Sequence, residues 1–282
     1  VDDHDMEIEC VIRGDDHINN TPKQINLYKA MGWPLPEFAH VPMILGSDGS
    51  RLSKRHGALN LLAYRDEGFL PEALLNYIVR LGWSNGDQEI FSVQEMIDLF
   101  ELKNINNSPA SFNQEKLEWI NQSYIKSTDI NNLVENLKWH LNNLNINLDN
   151  GPSIYELAES LRERSASLVD MAQSCVMFYC DFDAFDSVQA NKVFNTKSRP
   201  ILESLVVNLN SIDSWTAENI HSVIKIICDE HDVGFSKVGQ PFRLALSGNG
   251  KSGSIDISAQ FVGRDRTLAR LEKAIDWVNN PT

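Results

Sequence analysis

A cation-rich loop in the first hundred residues carries the clearest chemical signal. It runs over residues 46–57 and places Arg51, Lys54 and Arg55 around the hydroxyl of Ser53. Glycines in such a loop let the backbone approach a phosphate closely, lysine offers a mobile point charge, and arginine offers a two-pronged hydrogen-bond donor. The spacing is not that of a P-loop. Composition alone leaves two interpretations open, a phosphate-binding loop or an ordinary basic surface turn.

The region before this loop is predicted to be the end of a sheet. Residues 7–12 give the best strand signal in the chain, and polar residues follow at once. The chain opens with Val1 rather than methionine and enters this strand almost directly. We therefore expect the sequence to be the C-terminal part of a longer protein.

Helical periodicity dominates after residue 70. Pro71 is predicted to begin a helix, because proline at the first helical position loses no hydrogen bond. Ser92 and Ser153 are each followed three residues later by glutamate, which predicts two capping boxes. Asn113 and Asp129 are predicted to cap further helices. The sequence therefore predicts a mainly α protein, in which a fragment of a sheet precedes a helical body.

Composition excludes several classes of protein. The 282 residues are 42% hydrophobic and 23% charged, which is ordinary for a globular protein. No apolar run approaches the roughly 20 residues that span a bilayer, and no secretory signal is visible. The four cysteines lack the paired spacing or the nearby histidines of a zinc site. We therefore expect free thiols, no metal site and a cytoplasmic protein.

Charge is distributed unevenly along the chain. A net charge of -14 argues against a protein that coats nucleic acid non-specifically. Between residues 236 and 273, however, positive side chains outnumber negative ones. This basic end allows either a local nucleic-acid-binding face or an ordinary solvated helical face.

Several stretches resemble the class I aminoacyl-tRNA synthetases, specifically the bacterial-type glutamyl-tRNA synthetases. Residues 51–55 resemble the KMSKS loop of that class in its glutamyl variant. The other stretches are residues 11–24, 38–43, 68–84 and 240–248. Because they occur in order along the whole chain, the match is far more specific than a five-residue loop would be.

The resemblance implies an architecture of three parts. Residues 1–35 would be the tail of a Rossmann-type α/β catalytic domain. Residues 36–128 would hold the KMSKS-like loop and a helical domain that contacts the tRNA stem. Residues 129–282 would form an all-helical anticodon-binding domain whose two subdomains divide near 185–195. The family also suggests a monomer.

The implied reaction joins L-glutamate to tRNA(Glu) through a glutamyl-adenylate made from ATP with Mg²⁺. Lys54 matches the second lysine of KMSKS, so it would hold the triphosphate and stabilise the transition state of adenylation. Arg51, Leu52, Ser53 and Arg55 would complete the ATP-binding loop. Arg51 stands where the KMSKS letters have their first lysine, which makes its role less defined.

The resemblance also assigns roles upstream of the loop. Arg13 matches the arginine that pairs with the side-chain carboxylate of glutamate, and a guanidinium would discriminate against the neutral amide of glutamine. Alternatively, Arg13 pairs with one of the many nearby acids. Asp16 matches a residue of the adenylate pocket, and His17 either contacts ATP at its adenosine or forms part of the pocket wall. His40 is interpreted as structural.

The helical second half supplies candidate contacts to tRNA. Phosphate contacts would position the tRNA, while stacking and base-edge contacts in the anticodon loop would specify it. The candidates are Lys237, Gln240, Phe242, Arg243 and Arg264. Each has an alternative as a surface or core residue, and Phe242 above all, because an aromatic residue at helical spacing usually belongs to the core.

One motif of the family does not occur in the chain. None of the seven histidines lies in a His-x-Gly-His sequence, the HIGH motif that contacts ATP. We therefore expect this chain by itself not to charge tRNA. The alternatives are a non-catalytic tRNA-binding module, a paralogue that glutamylates a tRNA base, and a glutaminyl enzyme. The Lys54 loop disfavours a non-catalytic module, which has no need of it. The long helical second half disfavours the paralogue, and the lack of strand patterning there disfavours a glutaminyl enzyme.

Overall fold

The computed structural model describes residues 1–53 and 60–280. The chain forms two compact units. The first unit is Val1–Thr128 together with Ala166–Leu168, and the second is Asp129–Ser165 together with Val169–Thr282.

Two small parallel sheets belong to the first unit. Strand β1 (Cys10–Gly14) pairs with β2 (Glu37–Val41), and β3 (Ile44–Leu45) pairs with β4 (Ala110–Ser111). The strand expected at residues 7–12 thus begins only at Cys10, which is a correction. Glu7 has a left-handed backbone with φ of 53°, which interrupts an extended chain, and the residues before it form a helical turn.

Short helices make up the rest of the first unit. They are α1 (Asp2–Asp5), α2 (Thr21–Met31), α3 (Leu61–Asp66), α4 (Pro71–Gly82), α5 (Val93–Leu99) and α6 (Gln114–Ser127), with 3-10 turns at Asp15–Asn20 and Leu102–Asn104. Pro71 occupies the first turn of α4, Ser92 and Glu95 form both halves of the capping box before α5, and Asn113 caps α6. These three predictions are confirmed.

A buried polar network holds α4 and α6 of the first unit to the connection between α4 and α5. Asn76 is 0% exposed, and its amide donates to the Glu89 carbonyl at 2.9 Å while its oxygen accepts from the Phe91 backbone at 2.8 Å. The Tyr124 hydroxyl donates to the same Asn76 oxygen at 3.1 Å. Burial raises the pKa of Tyr124 to about 12. The network therefore satisfies polar groups that would be costly to bury alone.

The described residues of the second unit form helices joined by turns, with no strand among them. Its helices are α7 (Ile130–Asn143), α8 (Ile154–Leu161), α9 (Leu168–Tyr179), α10 (Ser187–Val193), α11 (Ser198–Asn210), α12 (Ala217–Glu230), α13 (Phe235–Ser247), α14 (Ile255–Val262) and α15 (Arg264–Asn279), with a 3-10 turn at Leu148–Asn150. The first residue of α9 belongs to the first unit. The predicted mainly α fold is confirmed, and Asp129 caps α7 as expected.

The second predicted capping box is wrong. Ser153 precedes α8 but makes no side-chain capping hydrogen bond. Instead, the hydroxyl of Tyr179 donates to the carbonyl of Pro152 at 2.8 Å. A tertiary contact therefore fixes the chain where it enters α8. No helix in the described ranges is long and apolar enough to cross a membrane.

Candidate functional site

Arg13 lies on β1 with its guanidinium held by residues of α2. Its Nη2 donates to the Thr21 hydroxyl at 2.8 Å and to the Gln24 side-chain oxygen at 2.7 Å. The guanidinium carbon lies 5.6 Å from the centre of the Phe38 ring on β2. Because both acceptors are neutral, they orient the guanidinium without neutralising it.

The charge of Arg13 has no acidic partner among the residues that the structure describes. The Nε atom is buried and has no hydrogen-bond acceptor. A half-buried cation with an unsatisfied donor is unfavourable unless an anion pairs with it. The alternative that Arg13 pairs with a nearby acid of its own chain is therefore not what the described residues show.

Asp16 joins the turn after β1 to the base of the cation-rich loop. Its carboxylate lies 3.5 Å from Arg51 Nη1 and 3.9 Å from His17 Nε2. A Cβ atom at position 14 would lie 2.6 Å from Asp16 Oδ1, so the close approach of this carboxylate requires Gly14. The structure thus brings Asp16, His17 and Arg51 together.

The first part of the cation-rich loop forms a tight hairpin. Leu52 N donates to the Ile44 carbonyl at 2.8 Å, and Gly46 N donates to the Ser50 carbonyl at 2.8 Å. Gly49 has φ of 77°, a left-handed conformation that suits glycine. Leu52 and Ser53 continue from this hairpin. The predicted catalytic and ATP-binding residues Lys54 and Arg55 lie outside the described residues.

A polar cleft of about 760 Å³ opens within the second unit, between α8, α9, α14 and the turn after α13. Arg164 and Lys251 are its cations, Asp170 and Asp181 are its carboxylates, and the half-buried Phe182 and Phe261 supply aromatic surface. Serine side chains dominate the remaining polar lining: Ser160, Ser165, Ser174, Ser247, Ser252, Ser254 and Ser258. A cleft that offers cations, hydroxyls and ring faces can hold both the phosphates and the bases of a single-stranded nucleic acid.

Three cations of α15 hold one wall of this cleft in place. Arg266 donates to the Phe178 carbonyl at 2.7 Å, and Arg270 donates to the Cys180 carbonyl at 2.8 Å. Lys273 donates to the Phe182 carbonyl at 2.6 Å. Burial is the main reason that the pKa of Arg270 is lowered from its ordinary value. Much of the basic character predicted for the chain end is therefore structural.

Two of the predicted tRNA contacts lie together in a second, smaller cavity. Gln240 and Arg243 on α13 line a space of about 220 Å³ with Gln189 and Lys192 of α10. Lys237, also on α13, is exposed. These side chains are available to a ligand at the surface of the second unit.

The other two predicted tRNA contacts are engaged inside the protein. Phe242 is 0% exposed, so its ring cannot stack on a base, and its assignment as a tRNA contact is corrected. Its face of α13 is the core face, which also carries Val238 and Ala245. Arg264 donates to the Ile212 carbonyl and lies 5.6 Å from the Trp215 ring centre.

Sequence reasoning missed Arg164 and Lys251. Arg164 follows α8 far from the basic end, and only the fold brings it to the turn that holds Lys251. The available signal was the density of small polar residues at 247–254, which is unusual beside a helical core.

Two family sequence models match the chain. The model described as tRNA synthetases class I (E and Q), catalytic domain, matches residues 1–119, and an anticodon binding domain matches residues 132–275. The same order was implied by the motifs in the sequence.

Curated relatives and solved structures agree with these matches. The glutamate–tRNA ligases of Ruthia magnifica and Vesicomyosocius okutanii are each 59% identical over 98% of this chain, which spans 60% of their length. A glutamate tRNA ligase from Elizabethkingia meningosepticum, solved in complex with its amino acid, is 31% identical with a TM-score of 0.84 over 98% of this chain and 59% of its own. The Elizabethkingia anophelis glutamate–tRNA synthetase has a TM-score of 0.79 at 31% identity, over 98% of this chain and 58% of its own.

The described geometry agrees with these likenesses at both ends of the chain. Arg13 and Asp16 lie in the segment that matches the catalytic-domain model, and the polar cleft lies in the segment that matches the anticodon-binding model. The chain therefore belongs to the class I tRNA synthetase family of the glutamyl and glutaminyl type, with a catalytic-domain segment followed by an anticodon-binding domain.

Proposed function

We propose that the chain acts in glutamate–tRNA ligation, in which ATP, L-glutamate and tRNA(Glu) give glutamyl-tRNA, AMP and diphosphate. The observation that carries this proposal is Arg13, whose guanidinium is fixed by neutral acceptors and has no acidic partner among the described residues. Its free charge suits the side-chain carboxylate of glutamate and disfavours the neutral amide of glutamine.

The loop side of the first unit would serve ATP. Asp16 and His17 would line the adenylate pocket, and Arg51, Leu52 and Ser53 would present the loop that carries Lys54 and Arg55 to the phosphates. The described residues contain no group of three or more histidine, cysteine, aspartate or glutamate side chains arranged for a metal ion. Mg²⁺ would arrive with the ATP phosphates, as in class I synthetases generally.

The second unit would bind the anticodon loop. The cleft with Arg164 and Lys251 offers hydroxyls and ring faces to unstacked bases. The cavity with Gln240 and Arg243, together with Lys237 nearby, would take the adjacent backbone phosphates. The helices at residues 61–128 would contact the tRNA stem. With no His-x-Gly-His sequence, this chain alone is expected not to charge tRNA.

The carboxylate site is tested by titrating the chain with L-glutamate and with L-glutamine. The readout is the Nε–Hε signal of Arg13 in arginine-labelled protein. We expect L-glutamate, and not L-glutamine, to shift that signal. Arg13→Gln should weaken L-glutamate binding at least tenfold (about 1.4 kcal/mol), since a hydrogen bond to a charged group contributes about 1.5–3 kcal/mol. Arg13→Lys should lose less affinity for L-glutamate, because lysine keeps the positive charge but lacks the planar donor array of a guanidinium.

For the variants, which lack the Arg13 signal, binding is measured by calorimetry under the same conditions. Equal binding of L-glutamate by the parent chain and Arg13→Gln would show that the carboxylate site lies elsewhere. Equal binding of glutamate and glutamine by the parent chain would show that Arg13 does not distinguish a side-chain carboxylate from a carboxamide.

A further inference from the structure

Arg13 is held by three elements of the first unit at once. Its own strand β1 pairs with β2, and the sheet register places it opposite His40. Its two acceptors, Thr21 and Gln24, are three residues apart and so share one face of the first turn of α2. The guanidinium therefore sits between a sheet and the start of a helix.

Both hydrogens of Arg13 Nη2 are used by these acceptors. The distances of 2.8 Å to Thr21 Oγ1 and 2.7 Å to Gln24 Oε1 are short for neutral partners. Two bonds from one nitrogen fix the plane of the guanidinium, and the hydrogens of Nη1 remain for another group. The orientation of Nη1 is thus set by Thr21 and Gln24.

Thr21 is itself held from behind by His40. Its Oγ1 lies 3.0 Å from His40 Nε2. Thr21 accepts from Arg13, and its hydroxyl shares a further hydrogen bond with the imidazole in either tautomer. His40, which appeared structural from its position in the sequence, is therefore connected to the guanidinium through a single hydroxyl.

The neutrality of these partners has a chemical consequence. A carboxylate in the place of Gln24 would pair with Arg13 within the chain and remove the free charge. A carboxamide and a hydroxyl hold the same geometry and leave the charge to a ligand.

We propose that Thr21 and Gln24, with His40 behind Thr21, are positioning residues that set the preference for a carboxylate over a carboxamide at Arg13. This inference rests on the proposed function of Arg13. The three residues do not touch the ligand; they fix the plane of the guanidinium and keep its charge unpaired.

The decisive variant is Gln24→Glu, which keeps the shape of the side chain and adds a charge 2.7 Å from Arg13 Nη2. We expect an unchanged or raised melting temperature, because a new ion pair replaces a neutral bond. L-glutamate binding should weaken at least ~10-fold, and the ratio of glutamate to glutamine affinity should fall. Asn26→Asp is the matched control, since it adds the same charge to an exposed position of α2.

A second pair of variants tests the hydroxyl. Thr21→Val removes the link between Arg13 and His40 while keeping the side-chain shape, and Thr21→Ser restores it. We expect Thr21→Val to lower the glutamate-to-glutamine affinity ratio and Thr21→Ser to recover it. A purely structural role would change the melting temperature and leave that ratio unchanged.

The outcomes separate this inference from the function on which it rests. If Arg13→Gln loses L-glutamate binding while Gln24→Glu keeps the parental affinity and ratio, the positioning role is overturned and the role of Arg13 stands. If Arg13→Gln binds like the parent chain, or if the parent shows no shift at Arg13 with saturating L-glutamate, both are overturned.

Discussion

Arg164 illustrates how a single exposed cation can gain a specific position. Its guanidinium lies against the backbone of Gly253, where an added Cβ atom would approach Nη1 to 2.8 Å. It faces the polar cleft and forms no ion pair with another described residue. A cation placed in this way is available to a phosphate or to a base edge.

We expect Arg164→Gln to weaken tRNA binding about tenfold (~1.4 kcal/mol) while leaving the melting temperature unchanged, because the side chain has no ion pair with a described residue to lose. Fluorescence titration with a glutamate tRNA measures the effect. Arg199→Gln is the control, since Arg199 is an exposed arginine of α11 whose only ion pair among the described residues is with Glu203 on its own helix. An equal loss of affinity in both variants would contradict a specific role for Arg164.

Arg13 and Asp16 were assigned from their match to a family motif. Their surroundings were only partly predictable, because the contacts of Arg13 with Phe38 and of Asp16 with Arg51 join residues distant in sequence. Arg164 received no assignment, and Phe242 was offered as a tRNA contact with the core as its alternative, because the environment of each is set by helices distant in sequence. The sequence did not distinguish ligand-binding cations from structural ones near the basic end. Arg270, for example, donates to backbone carbonyls and is 4% exposed.

At the scale of elements, the start of α14 carries a charge that stabilises it. Asp256 Oδ1 accepts from the Ile257 backbone at 3.0 Å and from the Ser254 hydroxyl, and Oδ2 lies 3.2 Å from His221 Nδ1. Burial alone would raise the pKa of Asp256, but these hydrogen bonds and the His221 contact outweigh burial and hold the pKa below its ordinary value. The fold therefore favours the ionised carboxylate.

Because the folded pKa is lowered, this stabilisation is present above the ordinary carboxyl pKa and is lost as pH falls through the folded value. We expect Asp256→Asn to lower the free energy of unfolding by about 1 kcal/mol at pH 7. The difference from the parent chain should shrink as pH falls below the ordinary carboxyl pKa of 3.8. Urea unfolding at pH 7, 5 and 3 measures it, with Asp276→Asn on the exposed side of α15 as the control. A difference that persists unchanged at pH 3 would exclude the carboxylate as its source.

Element boundaries followed local chemistry where a cap marks the beginning of a helix. Pro71, the box of Ser92 and Glu95, and the caps at Asn113 and Asp129 all act within a few residues, so the sequence predicts them. The strand at Cys10–Gly14 depends instead on its distant partner Glu37–Val41. Tertiary pairing of this kind leaves no local signal, which explains the shifted start of β1.

The whole molecule combines an acidic net charge with local cations that line cavities. The net charge of -14 opposes non-specific attraction to nucleic acid, whereas Arg164, Lys251, Lys192 and Arg243 line cavities of the second unit. Such a distribution favours binding that depends on the shape and bases of one RNA rather than on its charge alone. The helical second half was predictable from periodicity, while its cleft was not, because a cleft arises only from how helices pack.

The most direct measurement is a binding titration of the folded chain with three RNAs at two salt concentrations. The RNAs are a glutamate tRNA, the same tRNA with its anticodon exchanged, and an unrelated tRNA, and circular dichroism verifies that the protein is helical. We expect the glutamate tRNA to bind most tightly, the exchange to remove that preference, and added salt to weaken binding. Equal weak binding of all three by the folded chain would contradict an anticodon-reading role for the second unit.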